Sequence, residues 1–435
     1  MLLSLILACA SGDPESARFR VVNCFSEEAR AAEALEAAEA AVPVALARLG
    51  IAGWSPAGPR TLQLFADFAR FRSATAEMNP DSPEAHGYTS RDNHTAFVTV
   101  QPAAEALRAL GLSSQTRRLI AHEVTHLLCF DLLPDMTSLP GWMVEGLADS
   151  VAHEVLELLD RTRAIEEEPS TAGQILLVQE LFGSNQAPRF GTLLRDKLGG
   201  FDYRQRYALR WLTYEFLRAC RPEECARLFQ AAYTVNAAGR ALERVRPLLE
   251  HLWTPAELAA LDAEFLGWVG ALHPRWRQTA GSCEFDERGL VVLAPANADA
   301  LAVNQTAFES LPFHVQGELR FLPGSGQQLH VVLAHREDSF LLVSFTGGWG
   351  VTLWRHEVRG ARWLRRAAAE IPWLDAERAL RFRLDASATA LAISLDGEEV
   401  LRVPLDGAEL LGRFGLGAQA GSNGAWSALE WAEGG

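Results

Sequence analysis

The sequence lacks the clusters of basic residues by which proteins bind nucleic acid. Its 435 residues carry a formal net charge of −15, and no run of lysine and arginine offsets that balance. Because binding a phosphate backbone requires clustered positive charge, the composition argues against a nucleic-acid partner. With 49% hydrophobic and 22% charged residues, the chain has the composition of an ordinary folded protein.

Long apolar runs are also missing after the first residues. No later stretch supplies the roughly 18 uninterrupted apolar residues of a transmembrane helix, so we expect none. The opening MLLSLILACAS is a short apolar run that ends in small residues and Cys9. It indicates a secretory leader over residues 1–18, with Cys9 lipidated after cleavage and the protein exported to the periplasm or cell surface. The alternative is a buried first strand or a misassigned start.

Cysteine is scarce and poorly spaced for metal binding. The six cysteines include no Cys-x-x-Cys pair, which argues against a Cys-rich metal site. Cys220 and Cys225 bracket the segment RPEE between two helical patterns, where a local disulfide would pin the helical turn. Repeats with a period of 20 to 50 residues are absent as well, which argues against a solenoid.

The texture of the sequence changes twice along the chain, which predicts more than one domain. Residues 19–112 mix strand and helix patterns and indicate a small α/β layer. Residues 113–274 are almost wholly helical in periodicity. From 275 to 435, short runs punctuated by Gly, Asp and Pro are typical of an all-β sandwich, and the pair Asp396 and Gly397 predicts a tight hairpin. The predicted fold class is therefore multidomain α+β, with a jelly-roll-like sandwich at the C-terminal end.

Within the α/β layer, strands are expected in ARFRVVNCF, RTLQLFADF and TAFVTVQP. A helix is expected to follow the first of them, with Ser26 as its N-cap and Gly50 at its end. The segment NPDSPEAHGYTSRDNH is rich in turn residues and predicts a loop.

The helical stretch LIAHEVTHLLCF contains the most specific chemistry in the chain. His122 and His126 are separated by one helical turn, so both imidazoles can point at one metal ion. Glu123 is offset on the same helix, where it would lie near a metal-bound water as a general base. Cys129 shares the face of His122, but a buried packing role suits it better than a strained third ligand on one helix. A third histidine of the metzincin type is excluded, because Cys129 and Leu132 occupy those positions.

The remaining third ligand is Glu145 in LPGWMVEGLADSVA, on a second helix after a loop through Pro134 and Pro140. Asp149, one turn later, would accept the second N–H of a ligand histidine and so fix its orientation. The alternative, an acidic pair on the solvated side of an amphipathic helix, is disfavoured by the LPGW and EGLA residues that surround Glu145.

HEVTH followed by LPGWMVEGLADS resembles the gluzincin metallopeptidases, the thermolysin and aminopeptidase superfamily. The likeness is greatest to the bacterial peptidase-MA-like branch, with its Pro-x-Trp-x-x-Glu-Gly motif. It is specific over residues 119–151 and extends in texture over 60–272. It implies a zincin-type domain whose zinc is held by His122, His126 and Glu145, with Glu123 as base and Asp149 behind a ligand. It also implies that TAFVTV borders the cleft for a peptide or protein substrate. The aminopeptidase motif Gly-Ala-Met-Glu-Asn is absent, so exopeptidase action of that kind is not expected.

An oxyanion donor is expected on the helical segment YRQRYALRW. Tyr203 is preferred over Tyr207 because related proteins often have a Tyr-x-Gln pattern there, and His153 is a further candidate. Packing of both tyrosines in a helical core with Trp211 is the alternative. The remaining histidines, including His330 and His356, have no ligand spacing.

The C-terminal segment GRFGLGAQAGSNGAWSALEW resembles the last strands of concanavalin-like, laminin-G-type sandwiches. That likeness implies a glycan ligand, bound by stacking on exposed tryptophan rings, although large aromatics in a sandwich are more often core. The sequence therefore predicts a zinc metallopeptidase with an attached sandwich. The alternatives are a glycan- or surface-binding protein with an inactive metallopeptidase-like part, and a metal-dependent hydrolase of other substrates. The tryptophans in question are Trp349, Trp354, Trp363 and Trp373.

Overall fold

The fold is that of a computed structural model, which describes most of the chain from Glu15 to Gly434. Cys9 and Ser26 lie outside the described residues, as do residues 1–14 of the predicted leader. The residues left out within the described range are 24–27, 66, 79–84, 101–111, 113, 134, 160–168, 185, 234–239, 274, 287–288, 325, 337–338, 359–360 and 375–377.

The chain divides into two compact units. One contains most of the residues up to His273, and the other contains Pro274–Gly435. Helices dominate the first unit, whereas the second is built from antiparallel strands, which confirms the predicted multidomain α+β class. Among the described residues, no helix is long and apolar enough to cross a membrane.

The first unit begins with a four-stranded sheet in the order β1-β2-β4-β3. Two parallel pairings join β1 (Phe19–Asn23), β2 (Arg60–Phe65) and β4 (Thr95–Thr99), and β3 (Gly87–Ser90) is antiparallel to β4. Strand β3 lies in the segment for which the sequence predicted a loop. The prediction missed this strand because its four residues sit among turn-forming residues.

The segment TAFVTV, which the resemblance places beside the substrate cleft, is an inner strand of this sheet. This segment forms β4, which is hydrogen-bonded on one side to β2 and on the other to β3. Strand β3 has β4 on one side and is the last strand of the sheet. Helix α3 (Ser114–Leu132) packs against both β3 and β4.

Helices cover the sheet and complete the first unit. Helix α3 lies between the sheet, α1 and α4, and apolar side chains such as Ile120, Val124 and Leu128 are completely buried. This burial holds the whole HEVTH segment in the interior. The helices other than α3 are α1 (Glu28–Leu49), α2 (Phe68–Thr75), α4 (Leu147–Leu159), α5 (Pro169–Gly183), α6 (Phe190–Leu194), α7 (Tyr203–Cys220), α8 (Pro222–Ala232), α9 (Ala241–His251) and α10 (Pro255–Ala271), with a 3₁₀ turn at Met136–Ser138 and a π turn at Trp142–Gly146.

The expected disulfide at the turn between α7 and α8 is not formed. Cys220 and Cys225 are both free. Cys225 is buried in the interior face of α8, whereas Cys220 is half-buried in the last turn of α7. Arg221 alone separates the two helices, and Pro222 starts α8 directly after it, so the turn forms without a disulfide.

The second unit is a sandwich of two seven-stranded antiparallel sheets. One has the order β13-β12-β11-β10-β17-β8-β5, and the other has the order β16-β15-β14-β9-β18-β7-β6. The strands are β5 (Trp276–Ala280), β6 (Ser282–Asp286), β7 (Gly289–Leu293), β8 (Ala300–Phe308), β9 (Phe313–Leu322), β10 (Gln328–His335), β11 (Ser339–Thr346), β12 (Gly350–Glu357), β13 (Arg362–Glu370), β14 (Leu380–Ala386), β15 (Ala390–Leu395), β16 (Glu398–Pro404), β17 (Gly412–Ala418) and β18 (Asn423–Glu433).

Alternating side chains of both sheets fill the space between them. In β14 the apolar residues Leu380, Phe382 and Leu384 are buried in the core, whereas the arginines between them point outward. Trp276 and Trp426 are the largest members of that core. The predicted hairpin joins β15 to β16. Its two residues Asp396 and Gly397 have φ of +49° and +89°, as a two-residue hairpin turn requires.

Candidate metal centre and a groove in the sandwich

Helix α3 brings His122, Glu123 and His126 together inside the first unit. Their exposed fractions are only 6%, 5% and 8%. A buried polar side chain costs free energy unless it has a partner, so three such groups on one apolar helix indicate a built site.

The second element of the site is the π turn that presents Glu145. Gly141 and Gly146 flank this turn, and a Cβ on Gly141 would overlap the Arg210 side chain of α7. A Cβ on Gly146 would stand 2.7 Å from the Arg210 carbonyl oxygen. The glycines of the LPGWMVEG motif thus permit close packing on α7. Trp142 is completely buried and donates its indole N–H to the carbonyl oxygen of Leu194 at 2.9 Å, which anchors the turn.

Three donor atoms meet where α3 faces this turn. The Nε2 atoms of His122 and His126 are 3.1 Å apart, and Glu145 Oε2 lies 3.4 Å from the first and 3.5 Å from the second. Among the described residues, these three form a group whose ligand atoms could hold one metal ion. The predicted ligands are therefore neighbours in space.

Asp149 lies behind His122, as its position one turn after Glu145 predicted. Its Oδ1 is 3.0 Å from His122 Nδ1, and in the neutral tautomer that donates from Nδ1 to Asp149, Nε2 keeps its lone pair facing His126 and Glu145. Burial lowers the pKa of His122, but hydrogen bonds with Asp149 and Glu145 and the charges of Asp149 and Glu123 outweigh burial and raise it to about 10. The site thus stabilises positive charge at its centre.

The carboxyl groups respond to the same arrangement. Burial acts to raise the pKa of Glu145, but the charge of His126 and the hydrogen bond with His122 hold it well below the usual range. The balance is opposite for Glu123. There burial raises the pKa, and the opposing charges of His122 and His126 do not cancel that effect. The two carboxyl groups of the site thus have pKa values shifted in opposite directions.

Tyr207, and not the preferred Tyr203, is the tyrosine that the structure places against the ligands. The Tyr207 hydroxyl is 3.2 Å from Asp149 Oδ1 and 3.3 Å from both ring nitrogens of His122. Tyr203 is 39% exposed, and its ring stacks on that of Tyr207 with centroids 6.0 Å apart. The first turn of α7 is fixed by Asp202, whose carboxylate caps it together with the Gln205 side chain.

His153 and Cys129, which the sequence offered as a further oxyanion donor and a possible third ligand, both pack in the interior of the first unit. The ring of His153 lies 5.1 Å from that of Trp211, and burial lowers the pKa of His153 to about 3, so the imidazole is neutral. Cys129 is 3% exposed, and burial raises the pKa of its thiol to about 12. Among the described residues, Cys129 is not part of the group of ligand atoms formed with His122, so packing remains the better interpretation of Cys129.

The sandwich has a groove of about 440 Å³ over the sheet that contains β10 to β13. Phe340, His356 and Trp363 stand opposite one another on three neighbouring strands, and the rings of His356 and Trp363 are 4.2 Å apart. The groove is lined by Asp299, Ala300, Leu301, Gln328, His330, Val332, Phe340, Leu342, Trp354, Trp363, Gly417 and Gln419.

His330 is a buried polar residue in the lining of this groove that sequence reasoning missed. It is 7% exposed, and its Nδ1 has no hydrogen-bond partner in the described part of the chain. Burial lowers its pKa to about 4, so the ring is neutral at physiological pH. A lone histidine in a strand has no spacing that could have signalled this position.

The four tryptophans considered for ligand stacking are not part of the sandwich core. Trp349, Trp363 and Trp373 are 39%, 47% and 44% exposed. Only Trp354 and Trp363 of the four line the groove. The core positions belong instead to Trp276 and Trp426.

Comparison with known proteins gives no family for this chain. No family model matches it, and no curated protein matches it. A solved structure that is similar to part of it is the carbohydrate-binding module CBM66 from Bacillus subtilis, with 13% identity and a TM-score of 0.33, covering 37% of this chain and 96% of the module. Sheep galectin-11 is 7% identical with a TM-score of 0.25, covering 29% of this chain and 95% of the galectin.

Proposed function

We propose that the first unit is a zinc-dependent hydrolase of the gluzincin type that cleaves peptide bonds. The observation that carries this proposal is the triangle of His122 Nε2, His126 Nε2 and Glu145 Oε2, with sides of 3.1, 3.4 and 3.5 Å. Zinc bonds of about 2.0–2.1 Å in a tetrahedron place neighbouring ligand atoms about 3.3–3.4 Å apart. The donor set and its dimensions therefore fit zinc with one position left for the reaction.

The residues around the triangle supply the other parts of a hydrolytic site. Zinc, when bound, contributes Lewis-acid chemistry: it polarises a carbonyl and acidifies water. Glu123 accepts the proton of the attacking water and delivers it to the leaving amine. Asp149 keeps His122 in the tautomer that leaves Nε2 free. The Tyr207 hydroxyl is close enough to the ligands to donate to the carbonyl oxygen as negative charge develops there.

The proposal is tested with a mixed peptide library and the zinc-loaded full-length protein. The wild type is expected to cleave peptides, and Glu123→Gln is expected to lose at least about a hundredfold in rate because it cannot accept a proton. Glu223→Gln serves as control, since Glu223 is an exposed residue of α8. Equal cleavage by Glu123→Gln and the wild type would refute the mechanism.

The groove in the sandwich favours a second function, the binding of a neutral glycan. Its volume of about 440 Å³ is in the range of ligand sites. Trp354 and Trp363 offer aromatic faces for sugar rings, and Asp299 and Gln419 in the lining of the groove offer polar groups for hydroxyls. On this proposal the sandwich attaches the protein to a glycan, whether or not the metal centre is active.

A glycan array probed with full-length protein tests this second function. Trp363→Ala is expected to weaken binding by at least about tenfold, because it removes a stacking surface. Trp373→Ala is the matched control, because Trp373 is similarly exposed but does not line the groove. Binding that both variants weaken equally, or binding to no glycan, would argue against the groove.

A further inference from the structure

Strand β3 contacts the side chain of Glu123 at two points. The Thr89 hydroxyl oxygen lies 2.6 Å from Glu123 Oε2 and 3.0 Å from the backbone carbonyl oxygen of the same residue. Two residues earlier on the strand, a Cβ on Gly87 would overlap Glu123 Oε1. The carboxylate of Glu123 therefore lies along β3, with one oxygen at each of these two residues.

The two contacts restrict the carboxylate in different ways. Thr89 is 8% exposed, so its hydrogen bond to a charged group is shielded from water and is correspondingly strong. Its hydroxyl has a single proton, and the shorter distance assigns that proton to Oε2. Gly87 acts by having no side chain. Any larger residue there would push Oε1 away from the strand.

We propose that Thr89 and Gly87 are positioning residues for Glu123: Thr89 tethers Oε2, and Gly87 leaves the space in which Oε1 remains free to accept a proton. This inference rests on the proposed function, because it treats Glu123 as the general base. Its physical basis is that a base must lie within hydrogen-bond reach of the proton it takes, and a misplacement of about 1 Å can cost about a hundredfold in rate. Neither residue belongs to the HEVTH or LPGWMVEG motif.

Kinetics separate this role from simple packing. Thr89→Val keeps the shape of the side chain but removes the donor, and it is expected to lower kcat about tenfold to a hundredfold with KM and zinc content unchanged. Thr89→Ser retains the hydroxyl and is expected to restore most of the rate. Thr75→Val is the matched control, because the buried Thr75 hydroxyl donates only to the Phe71 carbonyl oxygen of its own helix. A normal kcat for Thr89→Val would overturn the proposal.

A double-mutant cycle adds a readout that packing would not move. Once Glu123→Gln has removed the base, Thr89→Val is expected to cause little further loss of activity. Additive losses would mean that Thr89 acts independently of Glu123, which contradicts the proposal. If Thr89→Val does not fold, Gly87→Ala replaces it, because the added methyl group displaces the carboxylate while the Thr89 hydroxyl is retained.

Crystal structures of the metal-free variants test the positioning without any activity. The wild type and Thr89→Ser are expected to keep Glu123 against β3, whereas Thr89→Val and Gly87→Ala are expected to show its carboxylate displaced. A Glu123 carboxylate that stays in place in both Thr89→Val and Gly87→Ala would overturn the proposal. A wild type that cleaves no peptide would refute the proposed function alone, and the carboxylate position would still decide the role of Thr89 and Gly87.

Discussion

On the proposed function, Asp149 orients His122, because it accepts the only N–H that this imidazole can donate when Nε2 binds the metal. Removing such a partner typically costs about tenfold to a hundredfold in metal affinity. We therefore predict that Asp149→Ala weakens zinc binding by that factor, measured by competition with a chelator. Asp67→Ala, which removes the N-cap of α2, is expected to leave zinc affinity unchanged. Equal affinities of Asp149→Ala and the wild type would show that the hydrogen bond does not orient His122.

Replacing Tyr207 or Tyr203 by phenylalanine tests which of the two hydroxyl groups stabilises the oxyanion. Because the Tyr207 hydroxyl is 3.3 Å from His122 Nε2, Tyr207→Phe is expected to lower kcat about a hundredfold, as loss of one oxyanion donor does. Tyr203→Phe is expected to have a much smaller effect. Kinetics with one peptide substrate at saturating zinc compare the two variants. The larger loss in Tyr203→Phe would favour the choice made from the sequence.

At the residue scale, the sequence was informative wherever spacing encodes geometry. His122 and His126 share a helix face by their separation alone, and the motif around Glu145 pointed to the carboxylate that the structure places beside both imidazoles. The choice between Tyr203 and Tyr207 was different. These residues are one turn apart on the same face of α7, and only the packing of α7 on the π turn decides which one reaches His122. Thr89 carried no signal, since threonine in a strand is common.

At the element scale, the site depends on the close packing of the π turn against α7. We predict that Gly146→Ala destabilises the protein by about 1–3 kcal/mol, because its Cβ would meet backbone and side-chain atoms of α7 at 2.7 Å. Zinc affinity should fall as well, because Glu145 is in the same turn. Urea unfolding and chelator competition measure the two effects.

Gly267→Ala is the matched control for that prediction. Gly267 is exposed in α10, and a Cβ there has no atom within 4 Å. Alanine should therefore stabilise the helix by about 0.5–1 kcal/mol without affecting zinc. If both variants behaved alike, the glycine of the motif would have no packing role.

Apolar periodicity predicted the long elements of the first unit but not its shortest strand. Helices α3 and α7 and strand β4 have long or regular apolar patterns, and all three occur where expected. Strand β3 has four residues and follows a run of Pro, Asp and Glu, so turn propensity concealed it. The sequence therefore did not reveal that β3 contacts Glu123, because the order of strands in a sheet depends on pairing between segments distant in sequence.

At the scale of the whole molecule, the change in sequence texture near residue 275 corresponds to the start of a second, all-β unit. Alternating apolar residues are a local signal, which is why the sandwich could be predicted. The groove could not be predicted from the sequence. Its walls come from β8, β10, β11, β12, β13 and β17, and only their order in one sheet brings His330 and Trp363 to the same depression.

The central claim is that His122, His126 and Glu145 form one zinc site, and metal content tests it most directly. Purified full-length protein is loaded with zinc, dialysed and analysed by mass spectrometry for zinc per chain. The wild type and Glu123→Gln are expected to retain about one zinc ion each, because Glu123 is not a ligand, whereas His126→Ala and Glu145→Ala are expected to lose it. A wild type without zinc, or ligand variants that retain it as well as the wild type, would contradict the site.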